Sequence, residues 1–189
     1  MGLPPLTAVA HQWLRPHLAP GQCVVDATAG NGHDTVFLAE QVAPDGRVVA
    51  FDVQSQACEA TAQRCESAGL LDYVTIHQTG HETMAAYVEA PIHAAMFNLG
   101  YLPGHDTTRI TQPDTTCAAL QAACDLMTDG GVITLLAYRG HPGGQAEAQA
   151  VSNWIDARTN TLRVMQCHLY SAGDDAPLLW GLQVPPTHT

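Results

Sequence analysis

The chain has 189 residues, 46% of them hydrophobic and 13% charged, with 18 Asp and Glu against 7 basic residues and a formal net charge of −11. All seven bases are Arg, and Lys is absent. This length suits a single domain spanning residues 1–189 with a sizeable core. The hydrophobic fraction excludes a disordered chain, and the shortage of cations excludes a general polyanion-binding surface, because nucleic-acid affinity comes largely from phosphate neutralisation.

Met1 to Thr7 has no basic stretch ahead of an apolar one, so it does not read as a secretory signal. No apolar run reaches the roughly 18 residues of a membrane span. The chain is therefore expected in the cytoplasm, without a membrane partner. The cysteines (Cys23, Cys58, Cys65, Cys117, Cys124, Cys167) include no Cys-x-x-Cys pair. That argues against a zinc ribbon or a thioredoxin-like site and for reduced, buried, structural thiols.

In chain order, Leu6 to Leu18 carries apolar residues at helical spacing and stops before Pro20-Gly21, which predicts an opening helix. Cys23 to Ala27 predicts the first strand, and the Gly-containing turn Thr28 to Gly32 leads into a helix from Asp34 to Val42. Arg47 to Phe51 is a second strand ending at Asp52, and Ser55 to Ala68 is a helix stopped by Gly69. Val74 to Gln78 and His93 to Phe97 are the third and fourth strands, Thr115 to Met127 a helix, Val132 to Tyr138 the fifth strand, and Glu147 to Arg158 a helix. Strands at Arg163 to Tyr170 and Leu178 to Val184, with no helix between them, predict a terminal antiparallel hairpin. The alternation before it predicts an α/β fold, a mostly parallel seven-stranded sheet with helices on both faces.

The segment that promises chemistry is Val24 to Asp34, where a buried strand passes through Asp26, Gly30, Asn31 and Gly32 into a helix. Glycines let backbone approach a ligand, and a helix start offers unpaired N–H groups. Asp52, an acid at the end of the next strand, stands where a ribose diol is read. A dinucleotide site wants Gly-x-Gly-x-x-Gly, but Thr35 occupies the third glycine position, and Asp26 would set a carboxylate beside pyrophosphate. The same acid suits a cofactor with an α-amino group, such as the methionine moiety of S-adenosylmethionine. The turn therefore favours a methyl donor over NAD.

A second segment, Met96 to Gly104, lies at the carboxyl end of the fourth strand, where open α/β sheets bind ligands. Asn98 followed two residues later by Tyr101 resembles the Asn-Pro-Pro-Tyr element of amino-group methyltransferases. An Asn oxygen and a nearby carbonyl accept hydrogen bonds from an amine and aim its lone pair at the methyl group, while the aromatic ring shields the site. Asn98 and Tyr101 are the expected catalytic pair. Ten histidines invite a metal, yet no His-Glu-x-x-His occurs and no metal site is expected. His11, His17 and His188 read as surface residues.

Asp26 to Thr35, Phe51-Asp52-Val53-Gln54, Gly80-His81-Glu82, Phe97 to Gly104 and Tyr138 to Gly144 together resemble the YtqB-like rRNA methylase family of class I methyltransferases. The resemblance spans nearly the whole chain. It implies a Rossmann-like fold, S-adenosylmethionine as cofactor and, as in characterised members, methylation of the aminomethyl group on the modified wobble uridine (5-aminomethyl-2-thiouridine) in the anticodon loop of tRNA. It places Asp26, Gly30, Asn31, Gly32 and Asp34 at the methionine end, Asp52 and Gln54 at the ribose, Gly80 and His81 beside the adenosine, and Asn98 and Tyr101 at the acceptor amine. Arg139 and His141, with Arg109, fall on the substrate side. It also implies a homodimer. Where the family carries Gly-Asp-Lys after Leu-Pro-Gly this chain has His105-Asp106-Thr107, so a phosphate-reaching Lys is missing. Two other readings stay open: a methyltransferase of the same fold acting on rRNA or a small amine, and a non-catalytic nucleotide-binding protein. DNA is not an expected partner.

Overall fold

The structure is a computed structural model and describes residues 2–89, 91–100, 111–170 and 173–186. Among the described residues seven strands form one sheet, in the order β3-β2-β1-β4-β5-β7-β6. They are β1 (Cys23–Asp26), β2 (Arg47–Phe51), β3 (Val74–His77), β4 (Ile92–Leu99), β5 (Met127–Ala137), β6 (Arg163–Cys167) and β7 (Leu178–Gln183). The first five run parallel, and β7 pairs antiparallel with both β5 and β6. This is the mostly parallel α/β sheet expected from the sequence, with its antiparallel hairpin at the carboxyl end.

Helices α1 (Leu6–Leu14), α2 (His33–Val42), α3 (Ser55–Ser67), α4 (Pro113–Leu126) and α5 (Gly144–Asp156) complete the layers. Side-chain alternation along the strands divides the core. Val24, Val48, Ala94, Met96, Val132 and Leu136 pack with Leu14 of α1 and Phe37, Leu38 and Val42 of α2. Val25, Val49, Ala95, Phe97, Ile133 and Leu135 pack with Leu120 of α4 and Val151 and Ile155 of α5. Every central strand is therefore apolar on both faces, as a covered parallel sheet requires. Each fully buried Phe or Leu contributes about 1.5–3 kcal/mol.

Several boundaries differ from expectation for identifiable reasons. α1 ends at Leu14 and passes into a short 3₁₀ turn, Arg15–His17, because Pro16 has no N–H for a continuing ladder. β4 runs on to Leu99, so Asn98 is still held by strand pairing, opposite Leu136 of β5. β5 begins at Met127, and α5 begins three residues early, capped by Gly143 at φ 86°. The six cysteines form no disulfide, but only Cys23 and Cys65 are buried; the other four are half-buried. Burial raises the thiol pKa of Cys58, Cys65, Cys117 and Cys124, the last to about 11, so these remain protonated.

The position of the site follows from strand order. β1 sits between β2 and β4, so successive crossovers leave it in opposite directions, and a crevice opens beyond the carboxyl ends of β1 and β4.

Candidate active site

β1 ends on Asp26, which is 0% exposed. The Thr28 N–H donates to its Oδ1 at 3.1 Å and the Thr35 hydroxyl to its Oδ2 at 2.5 Å. Burial raises its pKa from 3.8 to about 7, the nearby Asp34 charge adds to the rise, and the two hydrogen bonds oppose it. Asp26 thus uses both oxygens to shape the turn that follows.

That turn is held from three sides. Gly30 N–H donates to Asp52 Oδ2 at 3.0 Å, and Gln54 N–H donates to Asp52 Oδ1 at 2.9 Å, so one carboxylate joins the ends of β1 and β2. The Thr61 hydroxyl donates to the Gly30 carbonyl at 3.2 Å, and Arg64 Nε–H to the Asn31 carbonyl at 2.6 Å. Gly32 caps α2 at φ 77°, and a Cβ there would lie 2.8 Å from the Thr61 Cα. Left-handed backbone and close approach of α3 both demand glycine at this position.

Asn98 lies across the crevice from the turn's end. Its N–H donates to Thr28 Oγ1 at 2.7 Å, tying β4 to the turn after β1. Its side-chain Nδ2 donates to Asp34 Oδ2 through a long contact of 3.4 Å, and Asp34 Oδ1 is 2.7 Å from His11 Nε2. Asn98 Oδ1 and Thr134 Oγ1 are buried without a partner among the described residues. Both residues line one small cavity together with Thr7, Ala10 and Asp34. Three carboxylates, Asp26, Asp34 and Asp52, therefore surround a turn of positive-φ glycines. This environment favours a cation bearing hydroxyl groups and repels a pyrophosphate.

The remaining predicted residues are distributed around this centre. Gly80 precedes a 3₁₀ turn, His81–Ala86, whose first residue is 7% exposed. His81 Nδ1–H donates to the Ala27 carbonyl at 3.1 Å, and burial lowers the ring's pKa, so it stays neutral with Nε2 as the accepting nitrogen. Gln54 is 7% exposed. Arg139 Nε–H donates to the Ala176 carbonyl at 2.6 Å, anchoring the guanidinium to the β6–β7 connection. His141 and Tyr138 approach Gly100, where an added Cβ would meet His141 Nε2 at 3.5 Å and Tyr138 Cδ2 at 3.8 Å. Tyr101 and Arg109 lie outside the described residues.

Some participants were not legible in the sequence. His11, expected on the surface, is half-buried and reaches Asp34 from a helix that belongs to no motif. Thr28 and Thr61 act through hydroxyls that no spacing rule singles out. Glu147 of α5 is 2% exposed and accepts from the Thr111 and Thr116 hydroxyls at 2.7 and 2.6 Å. Thr111 also accepts the Gly100 N–H at 3.1 Å and donates its own N–H to the Gly100 carbonyl at 3.1 Å, which pins the end of β4 to the approach to α4.

Comparison with known proteins gives a consistent outcome. A family model described as "Putative rRNA methylase" matches residues 48–183. The chain is 38% identical over 168 residues to the chloroplastic tRNA (mnm(5)s(2)U34)-methyltransferase of Arabidopsis thaliana, covering 79% of this chain and 61% of that protein's length. Among solved structures, a "putative rRNA-methylase" from Clostridium thermocellum superposes with a TM-score of 0.94 at 34% identity, covering 97% of this chain and 100% of that one. A "putative methyltransferase" from Streptococcus mutans in complex with SAH gives 0.88 at 33% identity, covering 97% and 99%.

Proposed function

The chain belongs to this rRNA methylase family, and from that premise we propose that it is an S-adenosylmethionine-dependent N-methyltransferase whose substrate is the aminomethyl group of the modified wobble uridine in tRNA. The observation that carries this reading is the Asn98 carboxamide. Its NH2 group turns to the Asp34 carboxylate, which only accepts, and its buried Oδ1 has no partner among the described residues. An unsatisfied buried acceptor costs about 1–3 kcal/mol, which a ligand N–H recovers. A primary amine has the complementary chemistry, with N–H groups to donate and a lone pair left to react.

The donor set fits S-adenosylmethionine. Asp52 retains lone pairs beyond those used by the Gly30 and Gln54 N–H groups and would take the ribose hydroxyls. Gly30, Asn31 and Gly32 would let backbone approach the cofactor, Asp34 would supply negative potential for its ammonium and sulfonium groups, with Asp26 adding to it when ionised, and Gly80, His81 and Gln54 would border the nucleoside. When bound, the cofactor supplies a methyl group on a good leaving group. The chain's own residues then have mainly to position the acceptor and exclude its misorientation. Asn98 holds the amine by one N–H; the amine reacts as the neutral base, and its proton passes to water. Arg139 and His141 would border the substrate, a role that the sequence alone assigns to Tyr101 and Arg109.

The name of the plant relative supports tRNA, and hence an anticodon-loop partner. Residues 1–189 form a single methyltransferase domain in this reading, and the protein acts in the cytoplasm. A homodimer is supported by half-exposed Val164 and Met165 on the edge strand β6, beside a groove lined by Trp13 and Pro16. The competing reading, a small amine or an rRNA site as acceptor, draws on the acidic balance and the lack of Lys. Mass spectrometry of nucleosides after incubation with deuteromethyl-labelled cofactor separates them. Label in the wobble uridine of undermodified tRNA is expected, whereas label confined to rRNA or to a small amine overturns the tRNA assignment.

A further inference from the structure

We propose that His11 is a positioning residue of the acceptor site, acting through Asp34 to set the orientation of the Asn98 carboxamide. The inference rests on the reading of Asn98 as the group that receives the acceptor amine. It assigns a role to α1, a helix outside every motif of the site.

Three elements form one chain of contacts. The His11 ring on α1 lies face to face on Phe37 of α2, with centroids 3.8 Å apart and planes 3° from parallel. The Arg15 guanidinium, one turn further along, sits over the same Phe37 ring at 5.4 Å. Stacking fixes the imidazole plane and directs Nε2 at Asp34 Oδ1, 2.7 Å away. A carboxylate only accepts, so Nε2 carries the proton in this contact. Asp34 lies in the first turn of α2. With Oδ1 engaged, its Oδ2 is presented to Asn98 Nδ2.

Orientation is the quantity at stake. The oxygen and nitrogen of a carboxamide are nearly the same size, so sterics alone hardly distinguish the two flipped states of Asn98. Asp34 distinguishes them, because it repels Oδ1 and accepts from Nδ2. The 3.4 Å link to Asn98 is the long one, and it holds only while Asp34 is itself restrained. His11 supplies that restraint from the opposite side. Without it the carboxylate is free to turn to water, and the acceptor oxygen of Asn98 loses its fixed direction.

Two substitutions separate hydrogen bonding from packing. His11→Phe keeps a ring against Phe37 and removes the donor, whereas His11→Gln keeps a donor near the Nε2 position and removes the ring. His11→Phe should lower kcat about 10–100-fold, with the KM for tRNA, the cofactor Kd and Tm close to wild type, and His11→Gln should recover most of the loss. In the ¹⁵N-labelled, ligand-free protein the Asn98 side-chain amide pair is identified by its disappearance in Asn98→Ala. That pair should move to solvent-like positions with faster exchange in His11→Phe and stay near its wild-type position in His11→Gln. An amide pair unmoved in His11→Phe, or a Gln variant no better than Phe by this measure, overturns the proposal. This measurement needs no substrate, so a chain that methylates none of the tested amines overturns the proposed function while the amide resonances still decide the role of His11.

Discussion

Asp26 and Asn98 divide the work of the site between shaping and contacting. Asp26 is walled off from solvent, and its ionisation is opposed first by burial and then by Asp34, giving a pKa of about 7. A carboxyl whose pKa rises on folding contributes most to stability when protonated in both states, below about pH 4, and that contribution is lost as pH rises through 7. Between pH 5 and pH 8 the Tm of the ligand-free protein should therefore fall relative to Asp26→Asn, which has no proton to lose. Parallel Tm profiles for the two proteins would show that Asp26 is ionised across the whole range. Asn98 acts by contact instead. Asn98→Ala should reduce kcat about 100-fold or more while the calorimetric cofactor Kd changes only a few-fold, since the loss falls on acceptor placement. Unchanged turnover would remove Asn98 from the acceptor site.

The turn between β1 and α2 behaves as one element because its neighbours hold it. Asp52 accepts from Gly30 and Gln54, and Thr61 and Arg64 of α3 donate to the Gly30 and Asn31 carbonyls. Gly32 is the tightest point, with a left-handed backbone and the Thr61 Cα where a methyl would go. Gly32→Ala adds a left-handed penalty of about 1–2 kcal/mol to the cost of displacing α3. Denaturant unfolding should show a loss of at least about 1 kcal/mol, and cofactor affinity should fall with it as the turn opens. A variant of wild-type stability would mean that α2 and α3 separate freely. The Gly-rich turn and the acid after β2 were legible because a strand-to-helix turn with this composition has few physical alternatives. The hydroxyls of Thr61 and Thr28 were not, since Thr serves equally well on a helix surface and in a strand. α5 begins earlier than its periodicity suggested because Gly143 and Gly144, poor helix formers in isolation, serve as cap and first residue.

For the whole molecule, charge and topology act together. The sheet order places one crevice beyond β1 and β4, and the carboxylates of the first turn make it acidic. Four of the seven Arg side chains are engaged within the protein: Arg158 lies 4.1 Å over the Trp154 ring, Arg15 lies over Phe37, and Arg64 and Arg139 donate to backbone carbonyls. A protein with −11 net charge and no Lys has few cations with which to displace counterions. The slope of log K against log salt for tRNA binding should therefore be shallow, about −2 or smaller in magnitude, and non-cognate RNA should bind weakly. A slope several-fold steeper would require a much larger basic surface, such as one assembled across a dimer.

The amino-acid sequence by itself determined the α/β alternation, the terminal hairpin, the glycine turn, Asp52 at the end of β2 and Asn98 near the end of β4. These are local properties: hydrophobic period, turn chemistry, and a functional residue at a strand's carboxyl end. Tertiary structure decided which of these groups meet. The approach of α1 to α2 made His11 a partner of Asp34, 23 positions away, and burial at the floor of the turn moved the pKa of Asp26 to about 7. Packing of α5 against α4 on one face of the sheet brought Glu147 beside Thr111 and Thr116. Long-range proximity and desolvation depend on how elements pack in space, and no window of sequence contains that information.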